Sequence, residues 1–283
     1  MIDFVNRLFR PKADEPMREI PPGERVYAIG DIHGRADLFL ALANAVERDD
    51  RKRGTADTTI IMLGDLIDRG PESARVVDLA RRWAKRRKIR FLSGNHEEMF
   101  LQSFFKTGTL RNFLKFGGLE TLLSYGITEE ELAGSTLDEI QRKMIDLVPW
   151  EDREFLRRFE LVATVGDYVF VHAGIRPKRE IKSQDPYDCR WIREPFLSYS
   201  GDPGFTVVHG HTVTDEPVVR SNRIGIDTGA FKSGRLTALA LEGTDRRIIE
   251  AAESGGEVEV SERSLSAPTM LAREATNVEP GSL

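Results

Sequence analysis

The chain has 283 residues, 40% hydrophobic and 31% charged, with 41 basic against 46 acidic side chains and a net charge of -5. That balance excludes bulk disorder and suits one large domain or two small ones. The longest unbroken apolar run, Leu38 to Ala43, falls far short of the roughly 20 residues of a membrane span, and the net negative charge argues against nucleic-acid binding driven by overall positive charge.

Residues 1–24 carry Pro11, Pro16, Pro21, Pro22 and Gly23, a density that marks an N-terminal extension and linker. Within it Ile2, Phe4, Val5, Leu8 and Phe9 fall at helical spacing, read as a short amphipathic turn packing on its own domain. The first ten residues have neither a long apolar core nor a small-residue cleavage site, so no signal peptide is expected. The domain itself is expected over 25–251. Val26–Ile29 reads as a strand, followed by a helix from about Ala36 to Glu47; Thr59–Leu63 and a helix from Glu72 to Lys85 repeat the pattern. Ile89–Leu92 makes a third strand, with helix from Glu97 to Phe105. Residues 105–160 read as mostly helical. Strands resume at Tyr168–Val171, Thr206–Val208, Arg223–Ile226 and Leu236–Leu241, and the polar stretch 252–283 reads as a mobile tail. Strands alternating with helices place the domain in the α/β class.

The single cysteine, Cys189, excludes an internal disulfide and any thiolate-based zinc site, and points to a reducing, cytoplasmic setting. Seven of the ten positions from Arg81 to Arg90 are basic; a solvated helix end facing the negative pole of the helix dipole is the expected reading, with no nucleic-acid partner.

Ligands of open α/β sheets bind outside the carboxyl ends of strands. Here those ends carry Gly30-Asp-Ile-His-Gly34, Gly64-Asp-Leu-Ile-Asp-Arg-Gly70, Gly94-Asn-His-Glu97, His172-Ala-Gly174, His209-Gly-His-Thr212 and Asp227-Thr-Gly229. A lone loop histidine is ordinarily solvated or satisfied, but all five histidines of the chain lie in these loops beside Asp, Asn and Gly. The ligand set that emerges is Asp31, His33, Asp65, Asn95, His172 and either His209 or His211. Carboxylate, amide and imidazole without thiolate suit Mn²⁺, Fe²⁺ or Zn²⁺. Six ligands are too many for one open catalytic ion and enough for two ions sharing a carboxylate.

Taken together, Gly-Asp-x-His-Gly, Gly-Asp-x-x-Asp-Arg-Gly and Gly-Asn-His-Glu make the chain resemble the calcineurin-like metallophosphoesterases from about Tyr27 to Leu241, and within them the bacterial and phage branch of the phosphoprotein phosphatases. The resemblance implies two mixed β-sheets sandwiched between helices in a four-layer α/β/β/α arrangement. It implies Asp31, His33 and Asp65 on one metal and Asp65, Asn95, His172 and His211 on the other, most simply two Mn²⁺, with Fe or Zn as alternatives. The family's Gly-His-Thr motif matches Gly210–Thr212, which selects His211 and leaves His209 to packing. Arg69 and Arg193, the latter in Trp191-Ile-Arg-Glu194, would hold phosphate, and His96 paired with Asp68 would protonate the leaving group. The implied mechanism is direct attack by a metal-bridging hydroxide, without a phosphoenzyme. Asp227-Thr-Gly-Ala230 matches a late family motif, expected to be structural.

The resulting expectation is a metal-dependent phosphatase of phosphoserine and phosphothreonine in proteins, with phosphotyrosine as a further class and a phosphoprotein as partner. Diadenosine tetraphosphate hydrolases, the alternative, typically have Ala at the position of Asp68 and Asp at that of Glu97, which favours the protein phosphatases here. Gly210–Val213 lacks the second histidine of the nuclease pattern Gly-His-x-His. A catalytically silent binding module is disfavoured because every expected ligand is present.

Overall fold

Strand β1 (Glu24–Ile29) is buried on both faces: Tyr27 and Ile29 enter one apolar cluster, Val26 and Ala28 another. Strict alternation in a strand with no polar side means that packed layers lie above and below it. The computed structural model, which describes residues 18–265, shows what those layers are.

Helix α1 (Ala36–Arg53) leads from β1 to β2 (Asp57–Met62), and α2 (Ser73–Ala84) leads to β3 (Ile89–Phe91). Then come α3 (Asn95–Ser103), α4 (Thr107–Phe113), a π-type turn over Leu114–Gly118, α5 (Leu119–Ser124), α6 (Glu129–Gly134), α7 (Leu137–Leu147) and α8 (Trp150–Arg157). Strands β4 (Val162–Val165) and β5 (Tyr168–Val171) precede α9 (Pro186–Trp191), β6 (Thr206–His209), β7 (Val218–Val219) and β8 (Arg223–Gly225). The described chain closes with α10 (Ala230–Ser233), β9 (Arg235–Glu242), β10 (Asp245–Ser254) and β11 (Glu257–Ser264).

One sheet has the order β11-β10-β9-β1-β2-β3 and the other β4-β5-β6-β8-β7. Both are mixed: β1, β2 and β3 are parallel, as are β5, β6 and β8, while the remaining pairings are antiparallel. Their inner faces meet through Val26, Ala28, Ile61 and Leu63 on one side and Tyr168, Phe170, Val208 and Ile224 on the other. The helices cover the larger sheet's outer face, where Phe39, Val76, Phe100 and Phe113 pack. On the smaller sheet the outer layer is thin: α9 and irregular chain close over Val171 and Val207 with Ile175, Cys189, Ile192 and Phe196. The two-sheet α/β architecture is the expected one.

The helical middle has local causes. Thr128 and Thr136 each cap a helix by accepting from the N–H three residues on, while Glu131 and Glu139 return to the Thr N–H. The basic run is largely ion-paired: Arg81 to Asp152, Arg82 to Asp78, Arg87 to Glu47 and Asp50, Lys88 to Asp57, and Arg90 to Glu160. Only Arg81 and Arg82 stand in the last turn of α2, so carboxylates rather than the helix dipole account for most of the run.

Four strands were not anticipated, and one correction concerns a boundary. The chain does not become irregular at residue 252: β10 continues to Ser254, and Gly255-Gly256, both at positive φ, turn it into β11. Strand β11 is almost wholly exposed, and its apolar alternation stops after Val258 and Val260, too short a pattern to mark the strand. The amphipathic turn expected over Ile2–Phe9, and the tail beyond Leu265, lie outside the described residues.

Candidate metal centre

The parallel strands of the two sheets aim their carboxyl ends at one place. Asp31 and His33 follow β1; Asp65, Asp68 and Arg69 follow β2; Asn95 and His96 open α3 after β3. His172 follows β5, His211 follows β6, and Asp227 follows β8. Apart from Arg69, which is half-buried, all of these side chains are buried.

Tight backbone geometry delivers them. Among the described residues, six non-glycine residues have positive φ, and five are in this site: His33, Asp65, Asp68, Arg69 and His211. Such conformations cost on the order of 1 kcal/mol each and persist where the surroundings enforce them. Two glycines are required for a different reason. A Cβ on Gly94 would lie 2.0 Å from Asp65 Oδ1, and one on Gly210 would lie 2.0 Å from Asp31 Oδ1. The main chain therefore touches the carboxylates it positions.

Asp65 is the centre. Its Oδ2 lies 3.4 Å from His172 Nε2, 3.6 Å from His33 Nε2 and 3.9 Å from His96 Nε2. The Nδ1–H of each ring is oriented by an acceptor: His33 donates to Ile67 O, His172 to Leu63 O and His96 to Asp68 Oδ2, at 2.8, 2.8 and 2.6 Å. The Nε2 of His33 and of His172 consequently presents a lone pair inward. Asn95 Oδ1, itself an acceptor, lies 3.0 Å from His172 Nε2 and 2.9 Å from His211 Nδ1.

This many acceptors around one carboxylate, with Asp31 Oδ1, Asp227 Oδ2 and His211 Nε2 buried and without hydrogen-bond partners, fits divalent cations. The charge state says the same. Burial, then the charges of Asp227 and Asp65, raise Asp31 well above the ordinary carboxylate range. Burial first, with Asp65 adding, pushes Asp227 up to about 6. Two ligand groups can be drawn: His33, Asp65 and His96, and Asp65, His172 and His211. They share Asp65.

The structure brings Asp65, Asn95, His172 and His211 together as the sequence suggests. Asp31 falls in neither three-residue group, and its Oδ2 accepts from the His211 N–H at 3.0 Å. His209 is packed away: its ring abuts Gly225 and meets Phe196 edge-on at 5.0 Å, and Nδ1 donates to Gly210 O. Arg193 is exposed, near enough for its charge to act on His211. Arg69 lies across the site, its Nη1 3.1 Å from His33 Nε2 and its Nη2 2.9 Å from His96 Nε2, with the guanidinium over the Phe231 ring.

Burial lowers the imidazoles of His33, His172 and His211, the last to about 3, and so keeps them in the neutral form that binds metals. Burial would lower His96 too. There the charge of Asp65 and the hydrogen bond and charge of Asp68 outweigh it, and the pKa is raised.

Supporting residues were not legible beforehand. Thr121 Oγ1 donates to Asp68 Oδ1 at 2.6 Å, and Gly117 O accepts the Arg69 N–H at 2.8 Å, so the helical middle braces both residues. Glu97, fully buried, accepts from the N–H groups of Asp65 and Gly94 through Oε2 and of Leu66 through Oε1, at 2.9, 2.9 and 2.7 Å.

A family model described as calcineurin-like phosphoesterase matches residues 24–230. The chain belongs to that family. Its members use divalent metals, in keeping with the candidate ligand groups. Among relatives, the asymmetrical bis(5'-nucleosyl)-tetraphosphatase PrpE of Geobacillus thermodenitrificans is 30% identical over 237 residues, covering 75% of this chain and 88% of that protein. Its counterpart from Bacillus velezensis is 28% identical over 74% of this chain and 86% of its own length. Shewanella-like protein phosphatase 2 of Arabidopsis thaliana is 27% identical but covers 62% of this chain and 54% of its own. Crystal structures assigned to a diadenosine tetraphosphatase (TM-score 0.56, 21% identity, 87% of this chain and 98% of that one) and to a cold-active protein tyrosine phosphatase (0.55, 18%, 91% and 89%) share the fold.

These relatives overturn the protein-phosphatase assignment, since the tetraphosphatases match along more of both chains. The physical reason for the misreading is visible. Asp68 and Glu97, the residues it rested on, are fully buried and turned toward His96 and the backbone of the β2 loop. Neither faces a substrate.

Proposed function

We propose that the protein is an asymmetrical dinucleoside tetraphosphatase, hydrolysing an outer anhydride of a substrate such as diadenosine tetraphosphate. The products would be a nucleoside triphosphate and a nucleoside monophosphate. Tetraphosphatase relatives aligned over three-quarters of the chain support the substrate class. One observation carries the chemistry: His96 Nδ1 is held by Asp68 Oδ2 at 2.6 Å while its Nε2 is turned into the cluster, 3.9 Å from Asp65 Oδ2.

In this reading Asp31, His33, Asp65, Asn95, His172 and His211 would hold two divalent ions, and Mn²⁺ is the first metal to test. When bound, such ions supply Lewis-acid charge that polarises phosphate oxygens and acidifies water. Arg69 and Arg193 bind phosphate oxygens through their planar guanidinium forks. Oxygen from water bonds to an outer phosphorus and releases a proton to solvent, the bridging P–O bond breaks, and the His96 Nε2 proton passes to the departing phosphate oxygen. Asp68 acts through His96, fixing its tautomer and favouring its charged form.

The test is chromatography of products after incubating chelator-treated, Mn²⁺-reloaded protein with diadenosine tetraphosphate. ATP and AMP in equal amounts are expected. Two equivalents of ADP would place the cut at the central anhydride, and an unchanged dinucleotide beside rapid turnover of phosphopeptides would overturn the proposal.

A further inference from the structure

Next to the metal centre stands an aromatic pair that the phosphate chemistry does not use. Tyr187 and Trp191, one helical turn apart on α9, stack nearly parallel, with ring centroids 6.1 Å apart and planes at 17°. Trp191 in turn meets the ring of His211 edge-on at 6.5 Å. The pair therefore leads outward from a candidate ligand, and Tyr187 at its outer end is 64% exposed.

It is also held in place. Trp191 Nε1 donates to Glu98 Oε2 at 2.7 Å, and Arg190 donates to Glu98 Oε1 at 2.5 Å. Glu98 belongs to α3, the helix that begins with Asn95 and His96, so the aromatic surface is fastened to the same element as the site. At the other end Asp185 accepts the Tyr187 N–H and Pro186 starts the helix, which fixes Tyr187. A large exposed aromatic in a rigid setting beside a phosphoryl-transfer centre has a use that solvent does not explain.

We infer that Tyr187 and Trp191 form the stacking platform for one nucleobase of the substrate. The inference rests on the tetraphosphatase reading and assigns it a specificity determinant. A base offers a flat π-face, and stacking on an aromatic side chain is tolerant of base identity. The phosphate chain would then run from the platform past His211 into the cluster around Asp65. Trp191, with its N–H committed to Glu98, contributes a ring face and no hydrogen bond to the base.

Two measurements test this on the metal-loaded protein, with Tyr187→Ala and Tyr187→Phe. In the first, the ratio of kcat/KM for diadenosine tetraphosphate to that for p-nitrophenyl phosphate, which has no base, falls on the order of tenfold in Tyr187→Ala and returns in Tyr187→Phe. In the second, calorimetric titration compares AMP with ribose 5-phosphate. Wild type prefers AMP on the order of tenfold, and Tyr187→Ala binds the two alike. Dinucleotide hydrolysis with an unchanged ratio and no preference for AMP overturns the platform and leaves the tetraphosphatase reading standing. A Tyr187-dependent AMP preference without dinucleotide hydrolysis does the reverse.

Discussion

Glu97 offers the sharpest test of how the site is held. Its carboxylate joins the loop after β2 to the start of α3 by accepting three buried backbone N–H groups. In Glu97→Gln the amide oxygen can take the place of Oε2 and keep the bonds from Asp65 and Gly94, but the NH₂ group then faces the Leu66 N–H, donor against donor. Losing one hydrogen bond to a charged group costs about 1.5–3 kcal/mol, and weakening the other two to neutral bonds adds about 1 kcal/mol. Part of this is offset, because burial and then the Asp65 charge push the Glu97 carboxyl up to about 7, so the wild-type carboxylate carries its own penalty. The net is about 2–3 kcal/mol. At about 2–4 °C per kcal/mol for a domain of this size, that lowers Tm by about 4–12 °C. Glu97→Ala leaves all three N–H groups unsatisfied and costs about 3–9 kcal/mol. Thermal unfolding followed by circular dichroism in excess chelator reads the shift without a metal contribution. A Glu97→Ala protein melting within about 2 °C of wild type would refute the clamp.

Three further outcomes follow from other parts of the site and fold. Gly210→Ala drives a methyl group into Asp31, so Mn²⁺ affinity measured by calorimetry should fall at least tenfold, about 1.4 kcal/mol; unchanged affinity would remove Asp31 from the ligand set. His96→Asn should slow hydrolysis by about 10²–10⁴ for phenyl phosphate, whose leaving group needs a proton, and by less for diadenosine tetraphosphate, whose leaving phosphate has a pKa of about 6. Equal losses would speak against proton donation by His96. Away from the site, Asp49 accepts Tyr27 Oη and both Arg247 Nη groups. Burial would raise its pKa, but Arg247, Tyr27 and Arg53 together hold it below the ordinary carboxylate range. A depressed carboxylate stabilises the fold above its ordinary pKa of about 4, and that stability is lost as pH falls through the folded value. The Tm gap between wild type and Asp49→Asn should therefore be widest near pH 7 and close below about pH 4; a constant gap would show that packing and not charge is at stake.

The sequence by itself determined the residues that converge. Asp31, His33, Asp65, Asn95, His172 and His211 each sit just beyond a parallel strand, and the chemistry of such ends depends on local spacing, which a sequence displays in order. Spacing left His209 and His211 open, and the resemblance of Gly210–Thr212 to the family's Gly-His-Thr chose His211; the place of His209 in the β6 ladder opposite Gly225 accounts for its packing. The outer hairpin escaped because β11 pairs through its backbone while most of its side chains stay in water, leaving only Val258 and Val260 as an apolar period to read. The division of labour at the centre could be decided only by tertiary structure. Thr121 and Gly117 reach Asp68 and Arg69 from some fifty residues away, and Glu98 ties Trp191 to α3 from across the chain. Asp68 and Glu97 looked like marks of a substrate because sequence shows which side chain stands at a position and not which way it points. Packing turned both inward, and residues that face the backbone hold a site together without choosing what enters it.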